Sequence, residues 1–293
     1  MSEVGVWRMR SYAKINLGLH VLERLDNGYH QIETGMVYID WWDQLNIRQA
    51  ASFEFHVSDS TIPTDDQNLV VKAYRAFEDH VGLADGHHYA IDLMKQVPTG
   101  AGLGGGSANA AAVLLALTEL EQSGCTKEDL IELSTSIGSD IAFFLGAQPA
   151  ISSGQGHQLE TLPIQPNAWI VVVNPGFESS TAEAYAQCEP NPEPILPLKT
   201  LLMEEPLEEW RLLLENDLEP AVIARHDMIG LLKDQLYEFG AIYASMSGSG
   251  SSVFGLFEQE FVAFHASDSL TKLGYKTNVT APNFVPDTSL KAG

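Results

Sequence analysis

Five glycines fall between Gly100 and Gly106, inside the stretch Pro98–Ala112 that reads PTGAGLGGGSANAAA. Only backbone without a Cβ can close in on a bulky ligand and offer it several N–H groups. The run Ser107–Glu121 that follows predicts a helix, with Val113, Leu114, Leu117 and Leu120 at helical spacing. A glycine loop opening a helix is an anion site, because free N–H groups and the positive dipole end converge there. The stretch reads as a phosphate cradle.

Three readings of the loop compete. Gly100, Gly102 and Gly105 satisfy G-x-G-x-x-G, the dinucleotide fingerprint. That fingerprint needs an acidic residue closing a second strand about 20 residues on. Here Glu119 and Glu121 fall in or at the end of the helix, and Thr126–Ile137 predicts another helix, so the context is wrong. The P-loop form needs Gly-Lys-Ser/Thr, and no lysine follows these glycines. A plain surface turn explains one or two glycines but not five ending at a helix start. A nucleotide-phosphate loop of a third type accounts best for the run.

The remaining composition narrows the setting. At 293 residues the chain is one large or two ordinary domains, and 45% hydrophobic content supports a packed core. Cys125 and Cys188 stand far apart with no metal spacing, which points to a reducing compartment. Glu3, Arg8, Arg10 and Lys14 interrupt any signal-like apolar start, and no apolar stretch approaches the roughly 20 residues that span a bilayer. A soluble, cytoplasmic protein is expected. The net charge of −23 repels nucleic acid and anionic membranes, so neither is an expected partner. It would also repel a free anionic substrate, so a nucleotide site must be locally positive.

Along the chain, Met9–Leu22 predicts a strand with Ala13, Ile15, Leu17 and Leu19 on one face and Lys14, Asn16, Gly18 and His20 on the other. A lysine on a mostly apolar strand is costly without an anionic partner, or else it lies on an exposed edge. Asp26-Asn27-Gly28 signals a hairpin. Strands follow at Gln31–Asp40, Gln44–Arg48, Phe53–Val57 and Tyr89–Lys95, with a helix over Asn68–Val81. Thr126-x-x-Asp129 predicts a capped helix over Lys127–Ile137, and Asp140 follows at its end with apolar Ile141–Leu145 beyond. The Gly/Ser-rich Gln148–His157 reads as a connection, dividing the chain into residues 1–153 and 154–293. Ala168–Val173 predicts a strand, and a helix around Tyr185 is capped by Ser180 or Thr181. Helices are expected over Leu207–Leu214, Asp217–Arg225 and Met228–Phe239, and Ala244–Phe257 reads as strand, Gly/Ser turn, strand.

These segments resemble the kinases named for galactose, homoserine, mevalonate and phosphomevalonate, the GHMP superfamily. The likeness rests on Pro98 with Gly102-Leu103-Gly104, on A-K-I-N from Ala13, on D-N-G-Y-H from Asp26 and on Gly138-x-Asp140-Ile-Ala-Phe-Phe. It continues through Glu215–Val222 and the turn within Ala244–Phe257. Alanine at 142 stands where the family usually has proline. The order of the hairpin is most similar to one branch of the superfamily. Its acceptor is a methylerythritol bearing a cytidine diphosphate, phosphorylated at the 2-hydroxyl.

The resemblance implies an α/β fold of α+β type in two lobes, an ATP-binding half and a substrate half with the active site between them. It implies ATP and Mg²⁺ as cofactors and a small molecule as substrate. Pro98, Gly100, Gly102, Leu103, Gly104, Gly105, Gly106 and Ser107 would hold the triphosphate, with Asn68 and Lys95 on the adenine. Asp140 would be the base and Lys14 its electrostatic partner. Asn16, Tyr29, His30 and Tyr185 would bind the acceptor, with the cytosine between Tyr29 and Tyr185. Ser107 is the candidate metal ligand. By pattern alone, Asp140 reads as a turn aspartate and Tyr29-His30 as a hairpin end. A sister small-molecule kinase would share the loop and Asp140 but have no use for Tyr29-His30 against a cytosine. A non-catalytic relative would be expected to have lost Lys14 or Asp140.

Overall fold

The structure, a computed structural model, describes residues 5–293; Met1–Val4, where the expected first half begins, lie outside the described residues. The chain starts as β1 (Val6–Arg24), β2 (His30–Ala50), β3 (Glu54–Val57), α1 (Leu69–His80) and β4 (His88–Met94). It continues as α2 (Gly105–Leu120), α3 (Lys127–Ser134), α4 (Ile141–Gly146), β5 (Ala150–Gly154) and β6 (Gln158–Thr161). Then come β7 (Trp169–Asn174), α5 (Thr181–Gln187), α6 (Leu198–Glu204), α7 (Trp210–Leu213), α8 (Glu219–Ile223) and α9 (Met228–Glu238). It ends with β8 (Tyr243–Met246), β9 (Val253–Phe257), α10 (Glu260–Lys272), β10 (Lys276–Thr280) and β11 (Lys291–Ala292).

Two sheets organise these elements. The larger runs β11-β1-β2-β4-β3, with β5 on β2 and β6 on β5; the smaller runs β10-β7-β9-β8. Every pairing is antiparallel except β3 with β4. Between the sheets lies a shared core: Ala13, Ile15, Leu17, Val37 and Ile39 from one, Ile170, Val172, Phe254 and Leu256 from the other. On the outer face of the large sheet pack α1, α2 and α4, through Val71, Tyr74, Phe77, Leu114, Leu117 and Phe143. The far side of the small sheet is covered by α9 and α10, through Leu232, Leu236, Ala263 and Leu270. Because α2 is apolar nearly all round, it is buried among neighbours rather than laid on a surface. Among the described residues, no helix is long and apolar enough to cross a membrane.

The expected alternation on β1 holds for Ala13, Ile15 and Leu17, all fully buried, but the strand is not regular. Its pairing shifts between Tyr12 and Lys14 and again between Leu17 and Leu19, around Gly18 at φ +67°. Such irregularities re-aim side chains and favour sites. The strands expected at Gln31–Asp40 and Gln44–Arg48 are one strand, because the first shift is absorbed in the pairing: Tyr12 faces Trp42 and Lys14 faces Tyr38.

Other expectations need correction. Gln148–His157 is not a connection: it forms most of the β5–β6 hairpin on the large sheet, so the change of sheet falls between Thr161 and Trp169. The helix expected to Ile137 stops at Ser134, where Gly138 N–H closes on Ser134 O at 3.1 Å. Leu207–Leu214 splits into a 3₁₀ turn and α7, and α6, α10 and β10 had no sequence signal strong enough to predict. After β10 the tail returns to the first half. Phe284 packs on Tyr12 with ring centres 5.4 Å apart, and β11 pairs with Trp7 and Arg8.

Candidate active site

One cleft of about 1680 Å³ is lined by every residue the sequence singled out: Lys14, Asn16, Tyr29, His30, Asn68, Lys95, the loop Pro98–Ser107, Asp140 and Tyr185. A pocket for one drug-sized ligand is about 300–1,000 Å³, so this one has room for two. Lys14, Arg24 and Lys95 line it with Asp140, and Asp43 stands behind the wall against Lys95. Three cations to two carboxylates leave the cleft a small positive excess on a chain of net charge −23, which is what an anion requires.

The loop is shaped by the protein as much as by any ligand. Gly102 has φ +74°, and a Cβ there would lie 1.9 Å from the carbonyl oxygen of Ser247. Gly104, left-handed at φ +67°, would press a Cβ within 2.7 Å of the Phe144 ring. Gly106 differs, for a Cβ there would meet nothing nearer than Leu69 at 3.6 Å. Within α2, Ala108 N–H bonds back to Gly104 O at 2.9 Å, so the preceding amides of the first turn stand at the cleft.

Lys14 reaches the loop from β1, 4% exposed. Its ammonium donates to Asn16 Oδ1 at 2.5 Å and Gly102 O at 3.1 Å, and lies 3.7 Å from Asp140 Oδ2. The last distance is an ion-pair contact rather than a hydrogen bond. Burial pushes the Lys14 pKa down, and Asp140 pulls part of it back. Asp140 is held at the start of α4, whose Ile141, Ala142, Phe143, Phe144 and Leu145 are all buried. That apolar run fixes the backbone that carries the carboxylate: Phe143 stacks on Tyr38 at 4.6 Å and anchors the turn.

A second loop, between β8 and β9, closes the other wall. Ser247 Oγ–H donates to Gly102 O at 2.9 Å and accepts from Asn16 N–H at 3.2 Å. Asn216 donates through Nδ2 to Met246 O and Gly248 O, at 2.9 and 2.8 Å, and so fixes that loop. Thr34 accepts from Asn16 Nδ2 at 2.9 Å. Sequence reading marked the segments Glu215–Val222 and Ala244–Phe257 but not these side chains, since lone Ser, Thr and Asn carry no pattern. Asn68 caps α1, accepting from Val70 N–H at 2.9 Å and donating to Pro63 O at 2.8 Å.

At the far end, His30 and Tyr185 stack with ring centres 5.1 Å apart and planes 26° from parallel. Tyr29 does not join them: it sits 64% exposed on the hairpin, where Gly28 at φ +84° makes the turn. Burial, then the charge of Arg24, lowers the His30 pKa. Burial, then Asp140, raises that of Tyr185.

The GHMP kinases N terminal domain profile matches residues 68–147, and the GHMP kinases C terminal profile matches 198–276. A 4-diphosphocytidyl-2-C-methyl-D-erythritol kinase of Chlorobium limicola is 37% identical over 281 residues, covering 94% of this chain and 97% of that protein. The chain belongs to the 4-diphosphocytidyl-2-C-methyl-D-erythritol kinase family, within the GHMP kinases. A kinase of that family from Bacteroides thetaiotaomicron is 39% identical, with 85% of this chain and 91% of the relative covered. A solved 4-(cytidine 5'-diphospho)-2C-methyl-D-erythritol kinase superposes with a TM-score of 0.79 at 30% identity, covering 93% and 98%. A homoserine kinase from Cytophaga hutchinsonii shares the fold, with a TM-score of 0.68 at 17% identity and 97% of each chain covered. The two-lobed GHMP kinase fold expected from the sequence is thus the fold observed, and the chain is a kinase acting with ATP.

Proposed function

We propose that this kinase transfers the γ-phosphoryl group of ATP to the 2-hydroxyl of 4-diphosphocytidyl-2-C-methyl-D-erythritol, a step of the non-mevalonate route to isoprenoid precursors. The observation that carries the reading is the Lys14–Asp140 pair beside the glycine loop, in a cleft that also holds the His30–Tyr185 stack. Phosphoryl transfer asks a protein mainly for alignment and charge stabilisation. The first-turn amides of α2 and the loop receive the triphosphate. Asp140, 36% exposed and facing the cleft, takes the hydroxyl proton as the acceptor oxygen attacks the γ-phosphorus and ADP departs. Lys14, 3.7 Å from that carboxylate, stabilises the negative charge that develops on the acceptor oxygen.

Magnesium suits this site only together with the nucleotide. Among the described residues no group of three His, Cys, Asp or Glu could hold a metal. Mg²⁺ commonly keeps several waters and takes one or two protein oxygens beside substrate phosphates. The Ser107 hydroxyl at the head of the cleft is the protein oxygen we assign to it, and the ion would neutralise phosphate charge. The division into an ATP-binding half and a substrate half is part of the same proposal.

A panel of alcohols with ATP tests the reading. Turnover of the diphosphocytidyl alcohol should exceed that of mevalonate, homoserine and galactose by orders of magnitude. Equal or better turnover of one of the others would assign the chain to that chemistry instead.

A further inference from the structure

Asp43 lies on β2 with no exposed surface, and no step above uses it. The bonds of its side chain lead to the nucleotide end of the cleft. Lys95 Nζ donates to Oδ2 at 2.5 Å; Gln96 N–H and Val97 N–H donate to Oδ1 at 2.6 and 2.8 Å. Those three residues are the last before Pro98, where the glycine loop begins. The lysine side chain is itself only 6% exposed, yet it lines the cleft. Its ammonium stands 3.0 Å from the place a Cβ on Gly105 would take, at the first residue of α2.

That position is electrostatically awkward. A buried ammonium is poorly solvated, and it sits against the positive end of a 16-residue helix. Without a counter-charge it would be driven off the helix terminus. Asp43 supplies that charge, and its second oxygen fixes the backbone leading into the loop. We propose that Asp43 is a positioning residue for the nucleotide: it holds the Lys95 ammonium and the Gln96–Val97 backbone in the geometry that receives ATP. The proposal rests on the reading of Lys95 as a nucleotide contact.

Purified full-length protein tests this by equilibrium ATP binding and by steady-state kinetics with ATP and acceptor varied separately. Asp43→Asn should weaken ATP binding and raise its KM about tenfold. The acceptor KM should stay within about twofold. Asparagine keeps the oxygen that accepts from Gln96 and Val97, so adding Asp43→Asn to Lys95→Met should weaken ATP no further than Lys95→Met does alone, both changes acting through one ammonium. If Asp43→Asn does not fold, Asp43→Glu carries the same comparison, keeping the charge but displacing it by one methylene. A folded variant with unchanged ATP binding and only a lower melting temperature overturns the proposal. So does a double variant whose losses multiply. Binding of ATP is read without any acceptor, so a wrong acceptor would show in the turnover panel and leave this result standing.

Discussion

Lys14 Nζ and Asp140 Oδ2 face each other across 3.7 Å, the lysine almost wholly buried and the aspartate open to the cleft. The asymmetry suits a base and its electrostatic partner. A carboxylate in contact with the acceptor must be reachable, whereas a cation paired with it acts most strongly where water cannot screen it. Asp140→Asn keeps the shape but removes the base, and turnover should fall by roughly 10²–10⁴. ATP affinity should be nearly kept. Near-full turnover in a folded Asn variant would return Asp140 to the role of a turn residue.

The depressed pKa of Lys14 sets a pH limit. Its folded-state value lies below that of an ordinary lysine because burial disfavours the charge more than Asp140 restores it. The proton is therefore lost on raising pH, and earlier than the usual value of about 10.4. We expect kcat/KM to fall along a basic limb that begins below that value. In Lys14→Met the residual rate should show no such limb. A limb that survives the substitution would assign it to another group.

Gly106 separates the ligand's need for space from the protein's own. Alanine at Gly102 or Gly104 would collide with Ser247 or Phe144, so either change confounds folding with binding. At Gly106 the added methyl meets only Leu69 at ordinary contact distance, and alanine favours the helix by up to about 1 kcal/mol. Gly106→Ala should keep or raise the melting temperature while weakening ATP about tenfold or more, about 1.4 kcal/mol of lost binding. Wild-type ATP affinity in that variant would exclude this glycine from the phosphate site.

How much of this was legible in the sequence depends on how local each feature is. The glycine loop and the helix after it are one contiguous signal, and α2 begins within two residues of the expected start. Thr126 and Asp129 form the expected capping box. Asp43 was invisible, because a lone aspartate in Asp40-Trp-Trp-Asp43 reveals nothing of a lysine 52 positions on. The β5–β6 hairpin was misread because Ser152, Ser153, Gly154 and Gly156 look like a linker, and only pairing with β2 makes them a strand and its turn. Lys14 shows both limits together. Its place on the strand was read correctly, but the ion pair that justifies its burial comes from α4, over a hundred residues away.

The tail after β10 offers a check on stability alone. Phe284 is half-buried against Tyr12, and Gly293 N–H donates to Val6 O at 2.7 Å. Phe284→Ala removes apolar contact worth about 1–2 kcal/mol and should lower the melting temperature by a few degrees. Neither KM should move, since Phe284 does not line the cleft. A shifted KM with an unshifted melting temperature would place the tail in the catalytic machinery instead.

The last prediction concerns what selects a cytidine-bearing alcohol. The expected clamp was Tyr29 and Tyr185, yet Tyr29 is 64% exposed and His30 is the ring on Tyr185. On the proposed reading, a pyrimidine entering this end meets the rings of Tyr185 and His30 first, with Tyr29 exposed on the hairpin. Stacking on one ring contributes roughly 1–3 kcal/mol and hardly distinguishes bases. Discrimination would then fall to hydrogen bonds at the ring edge, the role proposed for His30. Because burial and Arg24 lower its pKa, His30 stays neutral to more acid pH than an ordinary histidine, and it keeps one donor and one acceptor nitrogen there. Tyr185→Ala should raise the acceptor KM for cytidine and uridine analogues alike, by about tenfold or more. His30→Ala should instead narrow the gap between the two analogues and spare ATP. Preference for cytidine in the wild type should persist as pH falls through 6.5, the usual histidine value, and fade only at more acid pH. A His30→Ala kinase that still prefers cytidine as strongly as the wild type would take this side chain out of substrate selection and leave Tyr185 and the hairpin to account for it.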